Sequence, residues 1–373
     1  MWPTTRLSDE LGIAYPVIQA PMASITTAPI VAAVCAAGGL GSLGSAVMSA
    51  ERIAAEVGRV RAATQAPFAL NFFLHRPPRA DQALFERMRQ RLEPHRSQLG
   101  IAELATHPVP PPFDDDMLER VLALAPPVVS FHFGVPSERA LDALRAARIR
   151  ILASATNVDE ARALDEAGVD AIVAQGAEAG GHRGTFDPDS THGDIGTLAL
   201  VPQIVDAVSV PVIAAGGIAD GRGIAAVLTL GAQAAQLGTA FLACPEAEVE
   251  PLYRRTLLEP RAAHTRVTRL YTGRPARAIV TRYMDELRDE ERSTPDFPLQ
   301  RVFSSQLAQA ATAQGSPEFS SMWAGQAARL ARVMPAADLV RKLVEETEAV
   351  LARTRSGYRL QATGREPDYR APT

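Results

Sequence analysis

The chain of 373 residues lacks several features that would place it in common protein classes. It has two cysteines, too few for a disulfide framework, and Cys35 and Cys244 lie in apolar runs, so we expect buried, reduced thiols. Its 38 basic and 42 acidic residues give a formal net charge of −4, so neither nucleic acid nor an anionic membrane is expected as a partner. No apolar run is long enough to cross a bilayer and no signal-peptide pattern begins the chain, which predicts a cytoplasmic protein.

Aromatic residues are also scarce, at 5%, whereas hydrophobic residues make up 47% and are mostly Ala, Val, Leu and Ile. Strand-like runs alternate with helical runs, and we predict eight strands, at 15–22, 40–45, 68–73, 128–134, 150–156, 171–176, 210–217 and 234–241. Apolar strands with little polar alternation indicate parallel strands covered by helices. Eight such units predict an α/β fold of the (β/α)8 TIM-barrel type, with a doubly wound open sheet as the alternative.

Two segments interrupt this repeat. Residues 74–117 form a long excursion after the third strand, and residues 245–330 follow the eighth strand. We predict that 245–330 form a mostly helical lobe inserted after strand 8, over the top of the barrel. The barrel would then comprise residues 10–244 plus a C-terminal helix at 331–352, and 353–373 would be a polar tail.

One glycine-rich motif matches a dinucleotide-binding pattern without its context. GLGSLG at 39–44 satisfies G-x-G-x-x-G, but that motif needs a strand before it and a helix after it. Here a helical run precedes the glycines, which lie in the second predicted strand. We therefore interpret them as a tight turn with small residues lining the barrel.

Glycines and polar side chains recur at the carboxyl ends of the predicted strands. Gly216, Gly217 and Gly238 follow strands 7 and 8, where barrels often bind a phosphate through main-chain N–H groups and a helix N-terminus. The amides that follow other strands can both donate and accept hydrogen bonds, which suits a heteroaromatic ring. Together these features predict a mononucleotide cofactor, with FMN favoured. No lysine follows a strand, which argues against Schiff-base chemistry, and no residues show metal-ligand spacing, so no metal is expected.

His132 is the titratable group expected at the mouth of the barrel. An imidazole with an ordinary pKa near ~6.5 exchanges a proton at neutral pH, so His132 is a candidate acid or base. The alternative is a strand-end histidine bonded to a neighbouring loop.

The ordered motifs resemble class I nitronate monooxygenases, formerly called 2-nitropropane dioxygenases. They are QAPM (19–22), AGGLGS (37–42), N-x-F (71–73), SFHFG-x-P (130–136), AQGAEAGGHRG (174–184), IGTLALVPQIV (195–205), VPVIAAGGIADGRG (210–223), QLGTAF (236–241) and WAGQ (323–326). The resemblance spans about residues 10–350. It implies non-covalent FMN, no metal, and oxidation of alkyl nitronates by O2 to a carbonyl product and nitrite.

Site residues follow from this resemblance by position. His132 would be catalytic. Residues implied to contact FMN are Gln19, Ala20, Pro21, Met22, Asn71, Gln175, Gly180, Gly181, Gly216, Gly217, Gln236, Leu237, Gly238 and Thr239. Candidate substrate contacts are His182, Arg301, Trp323 and Gln326. His182 and Arg183 lie in the loop after the sixth strand, which would wrap the flavin. They either hold this loop in place or offer positive charge to an anion.

The lobe departs from the family pattern. The family segment resembles DYPFVYDATKAL, whereas this chain reads DFPLQRVFSSQL at 296–307. Phe297, and Arg301 or Gln300, stand where tyrosines are expected, and Gln306 stands in place of the lysine. This departure bears on the substrate, and Arg301 is the candidate to replace the missing positive charge.

Two other functions fit the same features less well. One is an NAD(P)H-dependent flavin reductase of the quinone or enoyl type, and the other is a non-catalytic flavin-binding or nitro-compound-sensing protein. The expected partners are a small nitronate or nitroalkane and O2, and the expected assembly is a monomer or homodimer.

Overall fold

The computed structural model describes residues 4–79, 81–104, 109, 112–190 and 192–355. Eight parallel strands form its main sheet. In chain order they are β1 (Val17–Gln19), β2 (Gly41–Leu43), β3 (Phe68–Phe73), β4 (Val128–His132), β5 (Arg150–Ala155), β6 (Ala171–Gln175), β8 (Val212–Ala215) and β9 (Ala234–Leu237). Each overlaps one of the eight predicted strands.

The main sheet closes on itself. Its strands run in the order β1-β9-β8-β6-β5-β4-β3-β2, and a parallel bridge between Ile18 and Leu40 joins the two ends. At this seam Gln19 N donates to Leu40 O at 2.9 Å and Leu40 N donates to Val17 O at 3.0 Å. The predicted barrel is therefore confirmed and the open doubly wound sheet is wrong.

Helices cover the barrel and build the additional segments. They are α1 (Arg6–Leu11), α2 (Ala28–Ala36), α3 (Ala50–Ala63), α4 (Gln82–Arg91), α5 (Glu93–Gln98), α6 (Asp115–Leu124), α7 (Glu138–Ala146), α8 (Val158–Ala167), α9 (Thr197–Val205), α10 (Gly221–Thr229), α11 (Pro251–Leu258), α12 (Arg282–Glu286), α13 (Arg301–Ala313) and α14 (Ala336–Arg355). Polar caps start several of them, and Ser137, Asn157 and Asp220 each accept a main-chain N–H of the first turn. Helix α14 packs between α10 and α2 and completes the outer ring.

The GLGSLG motif serves packing between α2 and β2. A Cβ on Gly41 would lie 2.5 Å from Val31 O and 3.0 Å from the Cys35 thiol, so only glycine allows this approach. Cys35 and Cys244 are both buried and free of disulfides, and burial raises the pKa of the Cys35 thiol to about 11.

A second, three-stranded sheet was not predicted. Strands β10 (Thr265–Thr268) and β11 (Ala276–Ile279) form an antiparallel hairpin in the segment after β9, and β11 also pairs with β7 (Gly181–His182). These strands are short, and TRVT and ARAI are too brief to show a clear period. The loop after β6 is thereby joined to the lobe by main-chain hydrogen bonds.

The excursion after β3 and the lobe share an apolar core of their own. Met88 and Leu92 of the excursion pack with Tyr271, Tyr283 and further lobe residues in a cluster separate from the barrel core. Helix α14 ends at Arg355, three residues into the predicted tail, and residues 356–373 lie outside the described residues. No helix in the described ranges combines the length and apolarity needed to cross a bilayer.

Candidate functional site

A cavity of about 490 Å³ opens at the carboxyl ends of the barrel strands, beneath the lobe. Its size is typical of small-molecule sites. The predicted site residues that line it are Ala20, Pro21, Met22, Asn71, His132, Gln175, Gly180, Gly181, His182, Gly216, Gly217, Gln236, Gly238, Thr239, Arg301 and Trp323.

Three predicted site residues lie outside the cavity wall. The Gln19 side chain is fully buried at the β1–β2 seam, where Ser42 N donates to its Oε1 at 3.0 Å. Leu237 points away from the cavity into the apolar layer between the strands and the surrounding helices, because alternate residues of a strand face opposite sides. Gln326 is exposed, and its contribution is a main-chain N–H that donates to Glu178 O at 2.9 Å.

Unpaired main-chain amides mark one end of the cavity. The N–H groups of Gly216, Gly217, Gly238 and Thr239 donate to no acceptor within the described ranges, and all four residues line the cavity. These amides are accessible from the cavity, so an anion bound there could accept hydrogen bonds from them. Gly216 and Gly217 also have φ values of +106° and +71°, which favour glycine.

The helix N-terminus that we expected at this end is already occupied. Asp220 Oδ1 accepts from Arg222 N at 2.9 Å, and Glu346 Oε2 accepts from Gly221 N at 3.2 Å. The first turn of α10 is thus satisfied by carboxylates, which would repel an anion. The 3-10 turn Thr239–Phe241 supplies free N–H groups in its place.

Two amide side chains offer polar atoms along the cavity wall. Asn71 Nδ2 donates to Ser130 Oγ at 3.0 Å, and its Oδ1 accepts no hydrogen bond from the described residues. The Gln236 side chain hydrogen-bonds to none of them. Gln175 differs, because Arg183 Nη1 and Gly184 N both donate to its Oε1 at 2.8 Å. Its amide holds the loop, so any ligand contact would come from the rest of its side chain.

Arg183 is a structural residue of the loop after β6. It is 3% exposed, and its guanidinium donates to Gln175 Oε1 and to three carbonyls, those of Gln175, Gly176 and Gly193, at 2.7–3.0 Å. Between the two roles considered from the sequence, the structure thus favours holding the loop. Burial lowers the pKa of Arg183 to about 10, which leaves it charged at neutral pH.

His132 ends β4 and lines the cavity. Its Nε2 lies 3.3 Å from His182 O, and because a carbonyl only accepts, this contact requires a proton on Nε2. The lone pair of the neutral ring is then on Nδ1, which is hydrogen-bonded to none of the described residues. Desolvation, reinforced by the charges of Arg274 and Arg183, lowers the pKa of His132 to about 4. The ring is therefore neutral at physiological pH.

Aromatic rings surround His182 on the lobe side of the cavity. The His182 ring lies 5.9 Å from Phe73, 5.7 Å from Phe133, 5.3 Å from Phe297 and 5.5 Å from Trp323, measured between centroids. His182 Nε2 bonds to Thr272 Oγ1 at 3.0 Å, and burial among these rings lowers its pKa well below the ordinary value. His182 thus joins the loop to the lobe as an uncharged ring.

Arg301 brings a free positive charge to the cavity. No described carboxylate lies within 4.0 Å of its guanidinium, although desolvation lowers its pKa. Gln300 has another role, because it is fully buried and its Nε2 donates to Leu270 O at 2.8 Å. Gln306 Nε2 donates to Val302 O within α13. Of the three candidates in this segment, Arg301 is the one that lines the cavity.

Several contributing residues had no sequence signal strong enough to find them. Ser130 orients Asn71, and Glu178 accepts from Thr197 N at 2.8 Å at the start of α9. Arg274 stacks on Phe133, with Cζ 3.9 Å from the ring centroid. All but one of the 38 basic residues are arginines, so no feature of the sequence distinguishes Arg274.

Comparison with known proteins agrees with this geometry. The sequence profile of the family described as nitronate monooxygenase matches residues 4–346. The chain belongs to the nitronate monooxygenase family. A Paraburkholderia phytofirmans relative named nitronate monooxygenase is 46% identical over 349 residues, covering 92% of this chain and 95% of that protein. As a member of this family the chain is an oxidoreductase.

Solved structures place the chain in the same family and a wider fold group. It is similar to nitroalkane oxidase from Streptomyces ansochromogenes, with TM-score 0.86 and 40% identity over 93% of this chain and 99% of that chain. FabK from Thermotoga maritima is more distant, with TM-score 0.75 and 28% identity over 95% of this chain and 99% of that one. Within the described residues, no group of three or more His, Cys, Asp or Glu side chains is arranged to bind a metal.

Proposed function

We propose that the cavity binds FMN and that the chain oxidises alkyl nitronates with O2, releasing nitrite and a carbonyl product. Family membership supports the reaction. The observation that carries the cofactor assignment is the set of free main-chain amides at the ends of β8 and β9, in the same cavity as His132. We further propose that the chain acts in the cytoplasm, as a monomer or homodimer.

The residues fit a flavin mononucleotide at both of its ends. The amides of Gly216, Gly217, Gly238 and Thr239 would hold the phosphate, because main-chain N–H groups bind anions without a side chain between them. The free Asn71 Oδ1 and the Gln236 amide would pair with polar edges of the ring. When bound, the flavin would supply the electron acceptor for the nitronate and deliver those electrons to O2.

The state of His132 favours a nitronate over its neutral parent. A base with a pKa of about 4 is poorly matched to removing a proton from a carbon acid at neutral pH. A nitronate has already lost that proton, so the neutral imidazole needs only to orient the substrate. The charges of Arg183 and Arg274 near this ring also favour an anion.

The aromatic lobe wall and Arg301 would bind the rest of the substrate. The rings of Phe73, Phe297 and Trp323 offer apolar contact, and Arg301 offers a charge that no described protein group neutralises. We expect Arg301→Gln to raise KM for propionate 3-nitronate about tenfold or more and to change KM for ethylnitronate less. Equal rises in KM for both nitronates would mean that Arg301 binds the nitronate group they share, and an unchanged KM for both would remove Arg301 from substrate binding.

An anaerobic flavin assay tests the function. The purified protein is loaded with FMN, the released flavin is identified, and bleaching is followed after adding ethylnitronate, propionate 3-nitronate, NADH or NADPH. We expect rapid bleaching by nitronates and none by the nicotinamides. The reverse pattern would establish a flavin reductase, and no bleaching by any of them would indicate a flavin-binding protein without this activity.

A further inference from the structure

Arg274 is a buried cation near His132 whose contacts suggest more than a contribution of charge. It is 4% exposed, and among the described residues it forms no ion pair with a carboxylate and its Nε has no hydrogen-bond partner. Its Nη2 donates to Thr185 O. A buried charge without a counter-ion is costly, and such groups are concentrated at functional sites.

The guanidinium of Arg274 stacks on the residue that follows His132. Its Cζ lies 3.9 Å from the centroid of the Phe133 ring, a close cation–π contact. Phe133 has φ +83°, a conformation that non-glycine residues rarely adopt and that surrounding contacts must hold. The same ring lies 4.7 Å from the His132 imidazole and 4.6 Å from Phe73. Arg274 therefore clamps the strained position next to the imidazole.

The two charged groups around His132 lower its pKa, whereas its hydrogen bond to His182 O raises it. Arg274 and Arg183 both disfavour a proton on its ring, and His182, which contributes the carbonyl bound to Nε2, is itself an uncharged ring. Arg183 is committed to four loop acceptors, whereas Arg274 has one hydrogen bond and one aromatic contact. Of these two arginines, Arg274 is therefore the one whose position depends on Phe133, the residue next to His132.

We propose that Arg274 is a positioning residue that orients the His132 ring through its contact with Phe133. We also propose that the charge of Arg274 makes the site select anionic nitronates over neutral nitroalkanes. This rests on the proposed function. Charge and stacking make separate contributions, because a lysine retains the charge but lacks the planar group that stacks on a ring. Replacement by methionine removes both and keeps most of the apolar stem.

The test uses the FMN-loaded protein with Arg274→Met, Arg274→Lys and the control Arg266→Met. Arg266 lies on β10 and bonds to Asp285 and to Met284 O, away from His132. We expect Arg274→Met to lower kcat/KM for ethylnitronate about tenfold or more, since small misplacements of a reacting pair are costly. The kcat/KM for freshly dissolved nitroethane should fall less, so the ratio of kcat/KM for ethylnitronate to that for nitroethane should decrease. Arg266→Met should match the wild type.

Titration of 15N-labelled histidine by NMR separates positioning from a purely structural role. The His132 signal is identified by its absence in His132→Asn. In Arg274→Met the pH at the midpoint of its titration should be higher than in the wild type. In Arg274→Lys the midpoint should stay while kcat/KM for ethylnitronate falls. Unchanged midpoints and an unchanged nitronate preference in Arg274→Met would overturn the proposal.

A double variant provides a second test if Arg274→Met folds poorly. Phe133→Leu should lower kcat/KM for ethylnitronate, and adding Arg274→Lys should lower it little further, because both act through one contact. Additive losses would overturn the role of Phe133. A wild-type protein that nitronates fail to bleach would instead refute the proposed function, so the two failures are distinct.

Discussion

At the scale of single residues, the site combines free main-chain donors with an imidazole that burial keeps neutral. Gly238 illustrates the donors, because its φ of −106° is open to any residue and the nearest atom to an added Cβ would be Ala20 Cβ at 3.5 Å. The fold itself therefore does not require glycine there. An added methyl group would therefore act on a ligand that approaches the amide.

Gly238→Ala should weaken FMN binding about tenfold or more while leaving the melting temperature of the FMN-free protein within about 2 °C. The added methyl group would keep the phosphate away from the amides without straining the backbone. Fluorescence titration with FMN and with riboflavin measures the effect. Loss of affinity for riboflavin to the same extent would mean that Gly238 does not face the phosphate.

His132→Asn should retain FMN and lower kcat/KM for ethylnitronate about tenfold or more, because the neutral imidazole orients the nitronate and the shorter amide would orient it less well. The asparagine is similar in size and can still donate to His182 O, so the cavity should keep its shape. Steady-state rates per bound flavin report the change. A wild-type kcat/KM for ethylnitronate in this variant would assign the orienting role to another group.

At the scale of elements, the loop after β6 depends on one arginine and one glutamine that hydrogen-bond its main chain. The sequence motif AQGAEAGGHRG located this loop and its glycines, but it did not distinguish binding residues from those that shape the loop. Gln175 and Arg183 look like ligand contacts in sequence and prove to be committed to each other. Only the pairing of side chains across the loop, which a linear pattern does not contain, shows this.

Arg183→Lys should lower the free energy of unfolding by about 2 kcal/mol or more, because it leaves buried carbonyls unpaired. The control is Arg150→Lys, whose partner Asp170 lies 2.8 Å away at the surface and whose loss should cost less than about 1 kcal/mol. Urea unfolding compares the two. Equal losses would mean that the loop network contributes little.

At the scale of the whole molecule, the barrel was predictable and the second sheet was not. Eight apolar runs with capped helices between them carry the repeat in sequence, so the strand count follows from local patterns, whereas closure was decided by the Ile18–Leu40 bridge. Strands β7, β10 and β11 have two or four residues each. β10 and β11 pair as a local hairpin, whereas the pairing of β11 with β7 joins positions about 95 residues apart. The pairing that joins the loop after β6 to the lobe therefore could not be predicted from local sequence patterns.

Stability of the FMN-free protein should fall as the pH drops from about 6.5 to about 4. His132 is protonated more readily in the unfolded chain, where its pKa is ordinary, than in the folded protein, where its pKa is about 4. Protons then favour unfolding through this window, by up to about 3 kcal/mol for this one group. Urea midpoints at pH 7.5 and 4.5 measure the loss, which should be smaller in His132→Asn. Equal pH dependence in both proteins would contradict the burial of the ring.

The pairing of β7 with β11 also bears on how molecules enter and leave. This pairing joins the loop after β6 to the lobe. The lobe therefore cannot move away from this loop without breaking main-chain hydrogen bonds at Gly181 and His182. We therefore expect substrate, oxygen and nitrite to enter and leave while this pairing stays intact, without a hinged opening of the lobe. Amide protons of β11 should accordingly exchange with deuterium as slowly during catalysis as at rest.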